Sequence, residues 1–435
     1  MAKHSSSVNQ ILRNPYRVFN HIDLIKGKIT IGQRWGLIQQ DLTKASEPLA
    51  AMQSFFEKEL CLADVFGLIA TANGRSADAL IGDMESVYAT GQVELHITDL
   101  CDLDCINCHY KHKSGATIAF DILPTMLASL APRALTITGG GEPNCYSCHG
   151  KTLNDVVLLV HRVLPNTQIG LINNNTRLLP GSWYDHLAWQ RTSVDAATPQ
   201  TYRLIKQIDL YDQVVQNVEL LLLSKRVPHV GVGFLYRPEN VGEIAEFLDG
   251  WFFRFQRLPP DVQQRFNIQF RPIAPPIQQA AAVTVGANYL PTQVVSILRK
   301  QVQEVALRAQ HDEMFARFLD SFTNFGSIPI DRDPFAHVPS QFTKCYNTLI
   351  HRVVRANGDE FPDFLLCELQ ECALGNTIRG GSLERARIGL AQFHYHNCVT
   401  PFCNPDSCRQ SWVSSIIEHP DEARVALRPM GNYFF

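Results

Sequence analysis

At 435 residues the chain is long enough for two or three domains with substantial cores. Its hydrophobic content of 45% is ordinary for a globular protein, and 39 basic against 42 acidic residues leave a net charge of −3. That balance gives no basic excess for nucleic acid and no polybasic block for a membrane surface. No apolar run approaches the ~18 residues of a membrane span. The opening MAKHSSSVNQ lacks the charged-then-apolar pattern of a signal peptide. The expectation is a cytoplasmic protein without membrane or nucleic-acid partners. Twelve cysteines in such a chain point to metal or redox chemistry, not to a disulfide framework. Nine of them fall in two regions, 101–108 and 345–408, as clusters would require.

Residues 1–90 carry no chemical motif. The stretch 49–72 has helical periodicity, with Phe55, Leu60, Val65 and Leu68 near one face and Cys61 as a packed thiol. The region is expected to be a mostly helical extension, serving as a cap or as a docking surface for substrate. From 91 the pattern alternates between strand and helix, which implies parallel βα units. Strands are expected at 93–98, 134–138, 168–173, 191–195, 229–235 and 266–271. Helices are expected between them at 120–131, 153–163, 183–189, 213–225 and 242–255. Residues 272–295, rich in proline and small residues, read as an exit linker, and a helix is expected over 292–322. The expected division is 1–90, 91–290, a helical linker over 291–340 and a cysteine-rich domain over 341–435.

The chemistry concentrates in CDLDCINC at 101–108, where Cys101, Cys105 and Cys108 stand at C-x3-C-x2-C spacing directly after the first strand of the alternation. Thiolates this close are metal ligands or disulfide partners. Three are too few for a four-thiolate zinc site but enough for a cubane iron–sulfur cluster with one iron left open. After the second strand comes GGGEP, where Gly139, Gly140 and Gly141 allow positive φ and close backbone approach to a ligand. By itself such a run is an ordinary turn.

The cysteine spacing, with GGGEP at 139–143, NNNT at 173–176 and TSVDAATPQTY at 192–202, resembles the radical S-adenosylmethionine (AdoMet) superfamily. The resemblance implies a partial (β/α)6 TIM-like barrel, with side chains at the C-terminal ends of the strands facing the site. It implies a [4Fe–4S] cluster on Cys101, Cys105 and Cys108 and AdoMet on its open iron. It also implies reduction by a flavodoxin or ferredoxin and abstraction of hydrogen from substrate by a 5′-deoxyadenosyl radical. For AdoMet binding it suggests Gly139, Gly140, Gly141, Glu142 and Pro143, with Asn173, Ser193 and Asp195. The bland readings are turn chemistry for Asn173 and a satisfied polar interior for Ser193 and Asp195. Arg237, after the fifth strand of the alternation, reads equally as a carboxylate binder or as a surface arginine. One departure is Asn107, which precedes the third cysteine where the superfamily often has an aromatic residue. Cys145 and Cys148 form a further C-x2-C that is not part of the common pattern. It reads as metal ligands, a redox pair or incidental thiols.

Cys345, Cys367, Cys372, Cys398, Cys403 and Cys408, with Gly358 and LGN at 374–376, resemble the SPASM/Twitch extension of some of these enzymes. Their spacings depart from it, and six cysteines fit one auxiliary [4Fe–4S] cluster more readily than two. Structural zinc uses the same ligands. The resemblance implies a peptide substrate, crosslinked, oxidised or epimerised. The alternatives are a sugar or other small metabolite or, in a different class, a non-catalytic zinc or iron–sulfur binding protein.

Overall fold

A computed structural model describes residues 92–106, 108, 110, 115–130, 132, 134–273, 292–328, 351–361 and 373–378, and the strand backbone between 20 and 41. That N-terminal part is an antiparallel meander of β1 (Asn20–Asp23), β2 (Lys28–Gln33) and β3 (Gly36–Asp41). The mostly helical extension is corrected there to strand. The cause is legible in KITIGQ, where Ile29, Thr30 and Ile31 favour extended backbone. The helix expected over 49–72 lies outside the described residues.

The alternation from residue 92 folds into six parallel strands in sequential order: β4 (Gln92–Leu95), β5 (Ala134–Ile137), β6 (Gln168–Asn173), β7 (Leu187–Ser193), β8 (His229–Tyr236) and β9 (Phe266–Pro272). Sequential order, without the reversal of a doubly wound sheet, is the topology of a barrel built from βα units. The helices are α1 (Leu123–Leu130), α2 (Leu153–Val163), α3 (Pro199–Lys206), α4 (Tyr211–Ser224), α5 (Ile244–Arg257), the single turn α6 (Pro260–Gln263), α7 (Thr292–His311) and α8 (Glu313–Phe322). One face of the sheet buries Val93, Leu95, Ile137, Leu171, Val232, Phe234 and Ile268 in the main core with the helices. Alternation then turns Glu94, Thr136 and Gln269 to the opposite face.

Two expectations fail locally. The helix over 183–189 is instead a short 3-10 turn (Ser182–His186), and β7 begins at Leu187, not at 191. A bulge between β6 and β7 seats the Trp189 indole over Gly170, where any Cβ would fall on the ring. The helix over 292–322 breaks at Asp312, whose carboxylate caps α8 by accepting from the Phe315 amide at 2.9 Å. The helix α3, which no expectation included, is started by Thr198 as N-cap and Pro199 as first residue.

The outer edge of β4 is covered by β10 (His351–Val354), which pairs with it in parallel and continues antiparallel into β11 (Asp359–Phe361) and β12 (Gly375–Asn376). Gly358 takes the left-handed φ of 85° that the β10–β11 turn needs. The nine strands are open among the described residues. No helix among those residues is long and apolar enough to cross a membrane.

Candidate functional site

The loops after β4, β5 and β6 are hydrogen-bonded to one another, as are those after β7 and β8, and the motifs of the barrel region lie on them or on the strand and helix ends that flank them. The cysteine loop starts six residues after Leu95 ends β4, with Cys101 exposed and Cys105 and Cys108 half-buried, all as thiols outside any disulfide. Among the described residues no three His, Cys, Asp or Glu side chains close around a point that would hold a metal. The three thiols nevertheless share one short loop, whose ends are fixed from both sides. The Ile106 amide donates to the Ile205 carbonyl at 3.0 Å, which attaches the loop to the last turn of α3.

On the other side the glycine run packs directly against the chain that leads into Cys101. The Gly141 amide donates to the Thr98 carbonyl (2.8 Å), and the Glu142 amide to the Leu100 carbonyl (2.7 Å). Gly139 and Gly140 have φ of 62° and 63°. A Cβ at Gly139 would fall on the His96 ring, and one at Gly141 on the Leu100 carbonyl oxygen. Burial lowers His96 to about 4, so its ring is neutral at physiological pH.

Glu142 is buried and acts as a clamp. Its carboxylate accepts the Asn144 amide (3.0 Å) and the Asn174 amide (2.7 Å). Burial nevertheless raises it to about 7. Pro143 opens the short turn that Glu142 caps. Asn173 ends β6 with its side-chain oxygen accepting from Gln190 at 3.2 Å. Asn174 and Thr176 turn instead toward Asp102 of the cysteine loop, at 2.6 and 2.8 Å. Asp102 also accepts Arg177 at 3.2 Å, and sequence reasoning missed both residues. Burial raises the Asp102 carboxyl, but the Thr176, Asn174 and Arg177 hydrogen bonds outweigh it and hold it below its usual range.

Ser193 closes β7 half-buried. Asp195 does not continue that strand's face: its φ of 60° turns the chain, and its carboxylate bonds Lys206 Nζ at 2.5 Å and the Leu235 amide at 2.7 Å. Burial works against the Asp195 charge, but Lys206, Arg237 and these hydrogen bonds hold its carboxyl below the usual range. Lys206, equally buried, is held above its usual range because Asp195 and Cys105 outweigh desolvation. Arg237, left open by its sequence, is 3% exposed, and its Nε and Nη1 have no hydrogen-bond partner. A buried guanidinium with free donors is a costly group that an anion would satisfy.

Of the further thiols, Cys148 packs against the core, while Cys145 accepts Arg177 Nη2 at 3.6 Å. Burial pushes Cys145 up to about 11, which does not suit a thiolate redox pair. Cys345, Cys367, Cys372, Cys398, Cys403 and Cys408 lie outside the described residues.

No protein-family model and no curated protein sequence matches the chain. Among solved structures it is similar to Streptococcus suis SuiB bound to the precursor peptide SuiA, at 12% identity and a TM-score of 0.49 over 88% of this chain and 82% of that one. It is similar to native anSMEcpe with bound AdoMet and Cp18Cys peptide, at 14% identity and 0.48 over 74% and 87%. BtrN in complex with AdoMet and 2-DOIA follows at 12% and 0.34 over 74% and 95%. Likeness at this level leaves the assignment to the chain's own residues. By its cysteine spacing, its glycine loop and the strand ends that carry them, the chain resembles the radical AdoMet superfamily.

Proposed function

We propose that the protein is a radical AdoMet enzyme acting on a peptide, with a [4Fe–4S] cluster on Cys101, Cys105 and Cys108. The observation that carries the reading is the packing of the glycine loop against the chain that leads into Cys101, through the Gly141 and Glu142 amides. The donor set fits: three thiols suit a cubane with one open iron. The glycine cradle offers backbone at close range, and the bare, buried Arg237 suits a carboxylate.

When bound, the cluster and AdoMet supply a 5′-deoxyadenosyl radical by reductive cleavage of the sulfonium bond, with an electron from a flavodoxin- or ferredoxin-type partner. The chain's own part is to bind and orient. Gly139, Gly140 and Gly141 present backbone groups to the AdoMet amino group. Arg237 neutralises its carboxylate, and half-buried Ser193 offers a hydroxyl at the rim. Glu142, Pro143 and Asn173 support these loops, and Asp195 holds Lys206 beneath the cysteine loop. We assign one auxiliary [4Fe–4S] cluster to four of the six C-terminal cysteines, Cys345 and Cys367 with two of Cys398, Cys403 and Cys408. A peptide is the substrate class that the SPASM-like pattern implies.

Anaerobic reconstitution with iron and sulfide, then dithionite and AdoMet, tests the reading by mass spectrometry of 5′-deoxyadenosine. The expected result is deoxyadenosine that disappears when Cys101, Cys105 and Cys108 are all alanine, with about eight irons per chain for one auxiliary cluster. Intact clusters without deoxyadenosine, with candidate peptides present, would refute it.

A further inference from the structure

Neither the cysteine spacing nor the glycine run calls for a carboxylate directly after Cys101, yet Asp102 ties three loops together. Its Oδ1 accepts Asn174 Nδ2 at 2.6 Å, and its Oδ2 accepts Thr176 Oγ1 at 2.8 Å and Arg177 Nη2 at 3.2 Å. Asn174 passes the connection on in two directions. Its side-chain oxygen accepts the Thr176 amide at 3.0 Å, and its own amide donates to Glu142 Oε2 at 2.7 Å. Glu142 Oε1 then accepts the Asn144 amide at 3.0 Å. A continuous hydrogen-bonded chain therefore runs from the loop after β4, through the loop after β6, to the loop after β5.

We propose that Asp102 is a positioning residue. It locks these three loops into one unit and thereby fixes where the thiols stand relative to the glycine cradle that would hold AdoMet. The chemistry of the site asks for a carboxylate here. Three donors converge on Asp102, and only an acceptor-only group meets all of them. Charge also shortens and strengthens such bonds, which suits a loop that bears an exposed thiol at Cys101. An asparagine would offer one acceptor oxygen and turn its own N–H groups toward Thr176 or Arg177. The lock itself follows from the hydrogen bonds, whereas its effect on AdoMet rests on the function proposed above.

Hydrogen–deuterium exchange on the cluster-free protein comes first, since it needs neither iron nor AdoMet. Asp102→Ala should speed exchange about tenfold at the Asn174 and Thr176 amides, the size of one charge-assisted hydrogen bond, and raise it in segment 139–146. The sheet should exchange as in wild type. Asp102→Asn should fall between the two, and serves if the alanine variant does not fold. The second arm measures AdoMet affinity on reconstituted protein by equilibrium dialysis, with iron counted on the same sample. Asp102→Ala and Asn174→Ala should each weaken AdoMet about tenfold at unchanged iron, with no further loss in the double variant, as for groups acting through one contact. Exchange that rises only within 101–108, or unchanged affinity at equal iron, would overturn the proposal. Wild type that binds no AdoMet would sink the cofactor reading and the affinity arm with it, while the exchange arm would still decide on the lock.

Discussion

On its β5–β6 side the cysteine loop is held by two carboxylates, its own Asp102 and Glu142, satisfied by neutral donors and one exposed arginine. On its β7–β8 side it meets a buried ion pair and a second cation with two guanidinium nitrogens that no acceptor meets. Asp102 and Glu142 on the first side are bonded mainly by amides and a hydroxyl, so that side sets geometry. Asp195 on the second side is already committed to Lys206 and the Leu235 amide, so Nε and Nη1 of Arg237 are left without an acceptor, although its charge still favours the Asp195 carboxylate. The difference teaches which side is built to hold the loops and which is built to receive an anion.

The sharpest way to break this comparison is to remove the cation of the pair. Lys206→Met leaves Asp195 buried without its partner and should cost about 3–5 kcal/mol in chemical denaturation. Adding Asp195→Asn should recover part of it, and a loss below 1 kcal/mol would mean that the pair is not buried in solution. Arg237→Gln should separate ligand binding from folding. AdoMet affinity should fall about 30-fold or more, while the ligand-free protein loses little stability, because the cost of burying unbonded guanidinium donors offsets their attraction to Asp195. A parallel loss of both would assign Arg237 to the fold. On the geometric side, Gly141→Ala drives a Cβ onto the Leu100 carbonyl. It should cost about 1–3 kcal/mol and lower the iron retained on reconstitution.

The last effect is one of pH, and its sign differs between Glu142 and Asp195. Glu142, raised to about 7 from an ordinary 4.5, holds its proton more tightly folded than unfolded. Its contribution is complete below about 4.5 and is lost as pH rises toward 7. Glu142→Gln should flatten that decline in a series of melts between those values, and an unchanged slope would place its source elsewhere. Asp195, held below the ordinary 3.8, acts oppositely: its contribution is present above that value and is lost as pH falls through the folded one.

Five of the six parallel strands were legible because their buried faces read as Val, Ile, Leu and Phe at period two, and α2 was legible in both its ends. What failed was the segment around 183–189, where Trp183, Tyr184, Leu187 and Trp189 are apolar at spacings that suit either helix or strand. The space over Gly170 decides for the strand, and that is a property of a neighbour. In the site, cysteines and glycines announced themselves by spacing. Asp102, Arg177 and Lys206 did not, since a carboxylate or a cation acquires its meaning from partners 11 to 75 positions away. The strand expected over 191–195 stops at Ser193 because Asp195 takes a left-handed turn that asparagine and aspartate tolerate. Arg237 was undecided between surface and site until its burial was seen.

The partner of β4 on its outer edge, β10, lies about 255 residues further along the chain. At about 5–20 residues per second, a ribosome needs roughly 13–50 s to supply it once β4 has been made. Through that interval the strand that leads into Cys101 has an open backbone edge, the feature of a sheet most prone to pair with foreign strands. A nascent or truncated chain lacking β10 would therefore expose an open edge beside the thiols of the cysteine loop, so synthesis speed and iron supply act on the same few residues.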